Sequence, residues 1–245
     1  MDAEIRYLYH SGFAVKTAGH FLVFDYYLDT PRGGKLSAGV INPAEIRDKN
    51  VVVFASHSHP DHYSPRIFSW RKEIGRIRYV ISDEIRTKEN CVRLQAGQTL
   101  SLGDLTVRAL DSTDIGCAFL VKTDGLCIYH AGDLNWWHWK GEPDADNREM
   151  ARRYREQIDT LAGETIDIAF LPVDSRLEGS CLLGLDYFMK TVGAAMAIPM
   201  HAFGDPAFYE TLKPELQERG YLDRIAFYRE RGETIPYNRT PNQAC

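Results

Sequence analysis

The stretch Val51–Tyr63 reads V-V-V-F-A-S-H-S-H-P-D-H-Y and is the most informative segment of the chain. Its apolar start predicts a fully buried strand. The loop that follows holds four potential metal ligands, His57, His59, Asp61 and His62. Imidazole nitrogens and carboxylate oxygens are the ligands that borderline divalent metals take, so we expect a metal site where the strand ends. Adjacent residues point different ways in an extended loop, which would let this cluster serve two metals.

Two features of the same loop support this interpretation. Pro60 fixes its own backbone angle and biases His59 away from helix, which keeps the array of ligands open. Ser64 and Pro65 are typical of a helix cap followed by a proline at the first helical position, and they predict a helix through about Lys72. The alternative is a solvated polar loop, or histidines that hydrogen-bond within the core.

The segment His57-Ser58-His59-Pro60-Asp61-His62 resembles the signature of the metallo-β-lactamase superfamily. This resemblance implies an α+β fold, a four-layer αββα sandwich that holds one or two divalent metals between the edges of two sheets. It implies nitrogen ligands at the three histidines, and a role for Asp61 in binding a metal or orienting a water. Zinc is the first expectation, with manganese or iron as alternatives.

Two later segments match the order of the same superfamily. Tyr129-His130-Ala131-Gly132-Asp133 ends a predicted strand in a small-residue turn, and the resemblance implies that Asp133 bridges the metals and takes part in catalysis. His201 follows the apolar strand Ala195–Met200 and matches the last histidine ligand. A helix-capping aspartate remains the alternative for Asp133.

The third histidine of the pattern is missing. The chain reads Leu110-Asp111-Ser112-Thr113-Asp114-Ile115-Gly116 at that place, and no histidine lies between His62 and His130. Asp114, or else Asp111, fills the vacant corner with an oxygen ligand, or nothing fills it and one metal site is weak or absent. An oxygen ligand would favour harder ions such as Mn²⁺ or Fe²⁺ over Zn²⁺.

The opening of the chain resembles the ascorbate-phosphate-lactonase-like branch of the superfamily. The turn His10-Ser11-Gly12 follows the first predicted strand, and in that branch such a histidine lies near the metal site. We therefore place His10 among the substrate-binding residues, with a turn histidine bonded to backbone as the alternative. His20, in the next turn, is expected to be exposed.

Two further residues are candidates for contact with substrate. Arg176 follows a predicted strand and could clamp an anionic group, although an ion pair with Asp174 is the alternative. Trp136 belongs to Leu134–Trp139, which holds three of the four tryptophans. These rings either pack in the core or form a wall over the substrate.

The remaining pattern predicts one domain over residues 1–245, with two similar halves that divide near 123–126. A run of antiparallel strands is predicted to form much of the first sheet: Tyr79–Ser82, Cys91–Leu94, Thr99–Leu102 and Leu105–Leu110. Helices are predicted over Arg148–Leu161, over Leu185–Val192 and from Asp205 to near Gly220. Two last strands, near Ile225–Tyr228 and at Thr234–Tyr237, are expected to close the second sheet.

Composition is that of an ordinary globular protein, 44% hydrophobic and 26% charged, with a net charge of -5 that argues against nucleic acid as an obligate partner. No apolar run approaches the roughly 18 to 20 residues of a membrane span. The acidic start has no signal-peptide core, so a cytoplasmic location is expected. The five cysteines lack C-x-x-C spacing and are expected to be reduced: Cys91, Cys117, Cys127, Cys181 and Cys245.

These observations predict a metal-dependent hydrolase that uses an activated water on an ester, a lactone or a phosphodiester of a small, anionic substrate. The oligomeric state is open. One alternative is a non-catalytic metal-binding scaffold of the same fold. Another is a di-iron redox protein, although such relatives resemble H-x-E-x-D-H, with a glutamate where this chain has His59.

Overall fold

The structure is a computed structural model that describes residues 2–239, and two mixed β-sheets face each other in it. The first sheet has seven strands in the order β13-β1-β2-β3-β4-β5-β6. Their bounds are β1 Ala3–Tyr9, β2 Gly12–Lys16, β3 His20–Phe24, β4 Asn50–Ala55, β5 Ile77–Ser82, β6 Val92–Leu94 and β13 Thr234–Tyr237. Strands β13, β1, β2 and β3 pair antiparallel, and β3 to β6 pair parallel.

The second sheet has six strands in the order β12-β11-β10-β9-β8-β7. Their bounds are β7 Thr99–Leu102, β8 Leu105–Asp111, β9 Cys117–Thr123, β10 Leu126–His130, β11 Ile168–Pro172 and β12 Met196–Met200. Strands β7 to β10 form an antiparallel meander, and β10 to β12 pair parallel. Each sheet therefore passes from an antiparallel part to a parallel part.

The α-helices are short except for one. They are α1 Pro43–Ile46, α2 Asp144–Asp159, α3 Leu183–Thr191, α4 Ala207–Thr211 and α5 Lys213–Glu218. Four 3₁₀ segments accompany them at Leu36–Ala38, Pro65–Lys72, Ser175–Ser180 and Leu222–Arg224. None of the helices within residues 2–239 is long and apolar enough to span a bilayer.

Strand β4 shows how the layers are held together. Val52 and Phe54 point into the large core that lies between the sheets and extends under α2 and α3. Val51 and Val53 point to the opposite face, into a second core beneath the Pro65–Lys72 segment. All four side chains are buried, so both faces of the strand are covered. This confirms the predicted buried strand and the predicted α+β sandwich.

The predicted helix after Ser64 forms, but as a 3₁₀ helix. Ser64 caps it through a hydrogen bond that Arg66 N–H donates to its side chain, with Pro65 in the first turn. Its sequence, P-R-I-F-S-W-R-K, begins with proline and has four central residues, I-F-S-W, of only moderate helix propensity. Three residues per turn place Ile67 and Trp70 on the same side, where both are buried.

The predicted assignment of strands to sheets was wrong in part. Strands β5 and β6 do lie in the first sheet, but parallel to β4, because the long connection through the 3₁₀ helix allows a crossover. Strands β7 and β8 belong to the second sheet, where the Gly103-Asp104 turn joins them as a hairpin.

The end of the chain also differs from the prediction. Strand β13 pairs with β1 and extends the first sheet, not the second. Residues 225–228 form no strand, and only Ile225 makes a single bridge to Ala197 of β12. The helix predicted after Asp205 is broken into α4 and α5, because Pro214 stands in the first turn of α5 and cannot donate the hydrogen bond that would continue α4.

Cys91, Cys117, Cys127 and Cys181 form no disulfide within the described part of the chain. Cys245 lies outside the described residues.

Candidate metal centre

The carboxyl ends of seven strands deliver polar side chains to one edge of the sandwich. The parallel part of each sheet sends its strand ends the same way, so loops that are distant in sequence meet there. These loops carry His10 after β1, Asp25 after β3, His57 to His62 after β4, Asp114 after β8, Asp133 after β10, Asp174 after β11 and His201 after β12. The site is therefore a product of the sheet topology.

The candidate ligands form two adjacent groups. One contains His57, His59, Asp114 and Asp133, and the other contains His10, Asp61, His62 and His201. Within each group the ligand atoms lie within 4.8 Å of one another. The spacing suits one metal ion per group.

The Asp133 carboxylate stands between the two groups. Its Oδ2 lies 3.4 Å from His57 Nε2. Its Oδ1 lies 3.2 Å from His62 Nε2 and 3.4 Å from His201 Nε2. One oxygen faces each group, which is the geometry that a bridging carboxylate requires.

Hydrogen bonds on the far side of the rings orient three of the histidines. His62 Nδ1 lies 2.8 Å from Asp25 Oδ2, and His201 Nδ1 lies 2.9 Å from Asp174 Oδ2. A carboxylate only accepts, so each Nδ1 carries a proton, and in the neutral ring each Nε2 keeps the lone pair. These partners are the carboxylate supports that metal-bound histidines use in proteins.

Ser56 orients the third histidine in the same sense. Its hydroxyl donates to Asp25 at 2.6 Å, so its oxygen accepts a hydrogen bond from His57 Nδ1 at 2.9 Å. The Nε2 lone pair of His57 therefore also faces the site. Asp25 supports both rings from a fully buried position.

This arrangement fits a metal ion. The Nε2 atoms of His57 and His62 and the Oδ1 of Asp133 are buried without a hydrogen-bond partner among the described residues. His57 Nε2 faces Asp133 Oδ2 at 3.4 Å and His62 Nε2 faces Oδ1 at 3.2 Å, and their lone pairs would repel unless a cation lay between them. A divalent ion would supply that cation, and in the metal-free protein a shared proton takes its place.

In the metal-free site, burial and the neighbouring charges shift the pKa values of these groups, in several cases in opposite directions. Burial, together with the neighbouring His62, lowers the pKa of His57 to about 4. Burial alone would lower the pKa of His201 as well, but the carboxylates bonded to it outweigh burial and raise that pKa to about 9. Burial would raise the pKa of Asp133, but the imidazoles around it hold that pKa below its ordinary value. Burial and the nearby His201 lower the pKa of His10 to about 2, so this ring is neutral.

The loop between β8 and β9 brings Asp114 to the corner of the site that lacks a histidine. Thr113 anchors this loop, because its hydroxyl accepts the N–H of Asn135 at 3.0 Å and donates to the carbonyl of the same residue at 2.7 Å. Asp114 Oδ2 then lies 3.7 Å from His59 Nδ1, with both side chains partly exposed. Asp111 instead accepts the N–H of Ser112 and belongs to neither ligand group.

A cavity of about 340 Å³ opens over the ligands. Trp137, Trp139 and Phe203 line it together with Arg176. The guanidinium carbon of Arg176 lies 5.5 Å from the ring centre of Trp139 and 4.8 Å from that of Phe203. Arg176 also forms an ion pair with Asp174, which was the alternative role considered for it. Its Nε lies 2.9 Å from Asp174 Oδ2.

Trp136 lies away from this cavity. It packs between Tyr154 and Tyr187, with ring centres 6.4 and 6.2 Å away, and beneath the guanidinium of Arg155. Its neighbours in the chain, Trp137 and Trp139, line the cavity in its place.

Sequence reasoning missed two carboxylates that hold the histidines, Asp25 and Asp174. The available signal was that each directly follows a buried strand that ends at the same edge as the ligand loops. Asp25 is also held at a φ of 45°, a left-handed conformation that aspartate tolerates better than most residues. Asp174 was noted only as a partner for Arg176.

A third group of polar residues lies at the opposite ends of β3 and β10. His20 is buried there, contrary to the expectation that it is exposed. Its Nδ1 lies 3.2 Å from Asp124 Oδ2, and Thr17 and the N–H of Gly19 also donate to Asp124. These contacts join the two sheets and satisfy the ring.

The comparisons with known proteins identify the family. The model of the β-lactamase superfamily domain matches residues 4–138, more than half of the chain. The chain belongs to this superfamily. An alignment of 144 residues with a metal-dependent hydrolase of Thermococcus kodakarensis shows 26% identity. The alignment covers 53% of this chain and 61% of that relative. The chain thus spans about three fifths of this relative's length.

Two solved structures share the fold of this chain. Igni18, a metallo hydrolase from the archaeon Ignicoccus hospitalis, superimposes with a TM-score of 0.70 at 17% identity, over 97% of the chain and 99% of Igni18. CmlA, a diiron β-hydroxylase from Streptomyces venezuelae, superimposes with a TM-score of 0.63 at 13% identity, over 96% of the chain and 54% of CmlA. Because the sequence identities are this low, the similarity to these two structures concerns the fold alone.

Proposed function

We propose that this member of the superfamily is a metal-dependent hydrolase that binds two divalent ions and acts on an ester, lactone or phosphodiester of a small anionic substrate. The observation that supports it most is that buried, unpartnered ring nitrogens of His57 and His62 face the two oxygens of the Asp133 carboxylate. The T. kodakarensis relative is described as a metal-dependent hydrolase. Ions held in the two groups would lower the pKa of a bound water from about 15.7 toward about 7 and polarise the substrate oxygen.

The residues of the chain divide the remaining work. His57, His59, Asp114 and Asp133 would hold one ion, and Asp61, His62, His201 and Asp133 the other. Asp61 is about one third exposed at the floor of the cavity, where it can also orient a water. Each set contains two imidazoles and two carboxylates, a mixture that suits zinc as well as a harder ion such as Mn²⁺ or Fe²⁺.

The preference for an anionic substrate rests on Arg176. Its Nε and Nη2 are engaged by Asp174, and its Nη1 has no bond among residues 2–239. The guanidinium lies between two aromatic rings at the wall of the cavity, so it is held in place without being covered. A carboxylate or phosphate on the substrate would bind there.

The test compares metal content with hydrolysis. Protein stripped with a chelator and reloaded with zinc or manganese is assayed on p-nitrophenyl acetate, a chromogenic lactone and bis(p-nitrophenyl) phosphate. Hydrolysis should require metal, and Asp133→Asn should lower it by at least about 100-fold, because even an outer-shell partner of a metal is worth 10- to 100-fold. Asp124→Asn should leave the rate of hydrolysis unchanged, because Asp124 contacts a buried histidine, His20, outside the site.

Two results would contradict the proposal. Hydrolysis that is insensitive to chelator, or protein that binds no metal, would exclude a metal-dependent enzyme. Full metal content without hydrolysis of any substrate would favour the non-catalytic scaffold.

A further inference from the structure

His10 differs from the other histidines of the site in how its ring is held. It follows β1 at a φ of 54°, and its side chain is completely buried. The backbone N–H of His10 donates to the hydroxyl of Tyr7 at 2.9 Å. The centre of the His10 ring lies 4.1 Å from that of His201 and 4.0 Å from that of Phe203. The position of the ring is therefore fixed from several directions.

The decisive contact is on Nδ1. The backbone N–H of Phe203 donates to His10 Nδ1 at 3.1 Å, so Nδ1 is the lone-pair nitrogen. In a neutral imidazole the proton must then be on Nε2. His57, His62 and His201 have the opposite tautomer, because their Nδ1 atoms face a hydroxyl oxygen or a carboxylate.

This tautomer matters because of where Nε2 points. It lies 3.5 Å from Asp61 Oδ2, it is buried, and it has no hydrogen-bond partner among the described residues. Distance alone groups it with Asp61, His62 and His201 as a metal ligand. A protonated nitrogen has no lone pair to give, so an N–H donor rather than a ligand faces the site.

We propose that His10 is a catalytic hydrogen-bond donor and not a metal ligand, and that its Nε2–H contacts the substrate oxygen that gains negative charge during hydrolysis. This inference rests on the proposed function. A fixed donor in a buried site costs no reorganisation when charge develops, and losing one such donor typically lowers kcat by about 100- to 1,000-fold. His10 keeps its proton throughout, so the ring stays neutral.

The first experiment distinguishes donor from ligand without using activity. Long-range ¹H–¹⁵N NMR of the zinc-loaded protein, with His10→Ala to assign the signals, reports which ring nitrogen carries the proton. We expect the proton on His10 Nε2 and on Nδ1 of His62. We also expect His10→Ala to keep the zinc content of the wild type and His62→Ala to lose zinc. A zinc-bound Nε2, or loss of zinc from His10→Ala, would overturn the proposal.

The second experiment measures catalysis on the chromogenic panel with zinc-loaded protein. His10→Ala should lower kcat by about 100- to 1,000-fold, and His10→Gln, whose amide places an N–H near the same point, should recover part of it. Asp124→Asn is the matched control and should keep full activity. Thermal unfolding checks that the variants fold.

The outcomes separate the two proposals. An unchanged kcat in folded, zinc-loaded His10→Ala would overturn the role of His10 while leaving the hydrolase in place. Absence of metal-dependent hydrolysis in the wild type would overturn both the proposed function and the catalytic role of His10.

Discussion

Asp25→Asn should weaken zinc binding although Asp25 touches no metal. In the structure Oδ1 accepts the N–H of Ser56 at 2.8 Å, and Oδ2 accepts both the Ser56 hydroxyl at 2.6 Å and His62 Nδ1–H at 2.8 Å. Asparagine keeps the shape and tolerates the φ of 45°, so the backbone should not move. Its oxygen must stay with the Ser56 N–H, which leaves the NH₂ group facing His62.

The magnitude follows from that mismatch. An amide NH₂ cannot accept from His62 Nδ1–H, so His62 would have to move its proton to Nε2 and give up the lone pair that faces the site. A hydrogen bond to a charged group contributes about 1.5–3 kcal/mol. We therefore expect zinc affinity to fall by about 10- to 100-fold, the range found for outer-shell partners of metal-bound histidines.

The assay is a competition between protein and a chromogenic zinc chelator. Asp124→Asn is the matched control, because Asp124 also lies at a positive φ of 49° and also holds a buried histidine, His20, but far from the site. It should bind zinc like the wild type. Equal affinity in Asp25→Asn and the wild type, with both proteins folded, would refute the reasoning that Asp25 sets the tautomer of His62.

Three further predictions concern the rest of the site and the loops that form it. Asp114→Ala should lower the metal content of protein purified without chelator from two equivalents to about one, and elemental analysis showing equal content would exclude Asp114 as a ligand. The raised pKa of His201, about 9, means that metal must displace a proton from this ring, so zinc affinity should rise with pH from about 6.5 to 9. Calorimetry in buffers of different protonation enthalpy measures this release, and heats that do not depend on the buffer would contradict it. Gly116→Ala should reduce the free energy of unfolding by roughly 2–4 kcal/mol, because its Cβ would lie 2.1 Å from the carbonyl oxygen of Ser56 at a φ of +79°. Gly97→Ala, at a φ of +82° with nothing within 4 Å of its Cβ, should cost only about 1 kcal/mol in urea unfolding, and equal losses in both variants would contradict the close approach.

The parts of the site that the sequence predicted are those that lie close together along the chain. The segment 57–62 is contiguous and follows an apolar run. Its spacing of histidines and aspartate is typical of only a few kinds of metal site. Asp133 and His201 could be found because His201 stands directly after a buried strand and Asp133 follows one by a short small-residue turn, in the order of a familiar pattern. The same local patterning predicted most of the strands and the α+β class.

Tertiary structure alone decided how those segments pair and which proton each ring carries. Strand pairing joins segments such as β1 and β13, whose partners are more than 200 residues apart, and local alternation cannot choose between sheets that both bury apolar residues. Asp25 lies 37 residues from the ring it orients. The backbone N–H that fixes the tautomer of His10 comes from a residue 193 positions away. Sequence therefore determines which side chains can act here, whereas long-range hydrogen bonds determine which nitrogen of each imidazole presents a lone pair and which presents a proton.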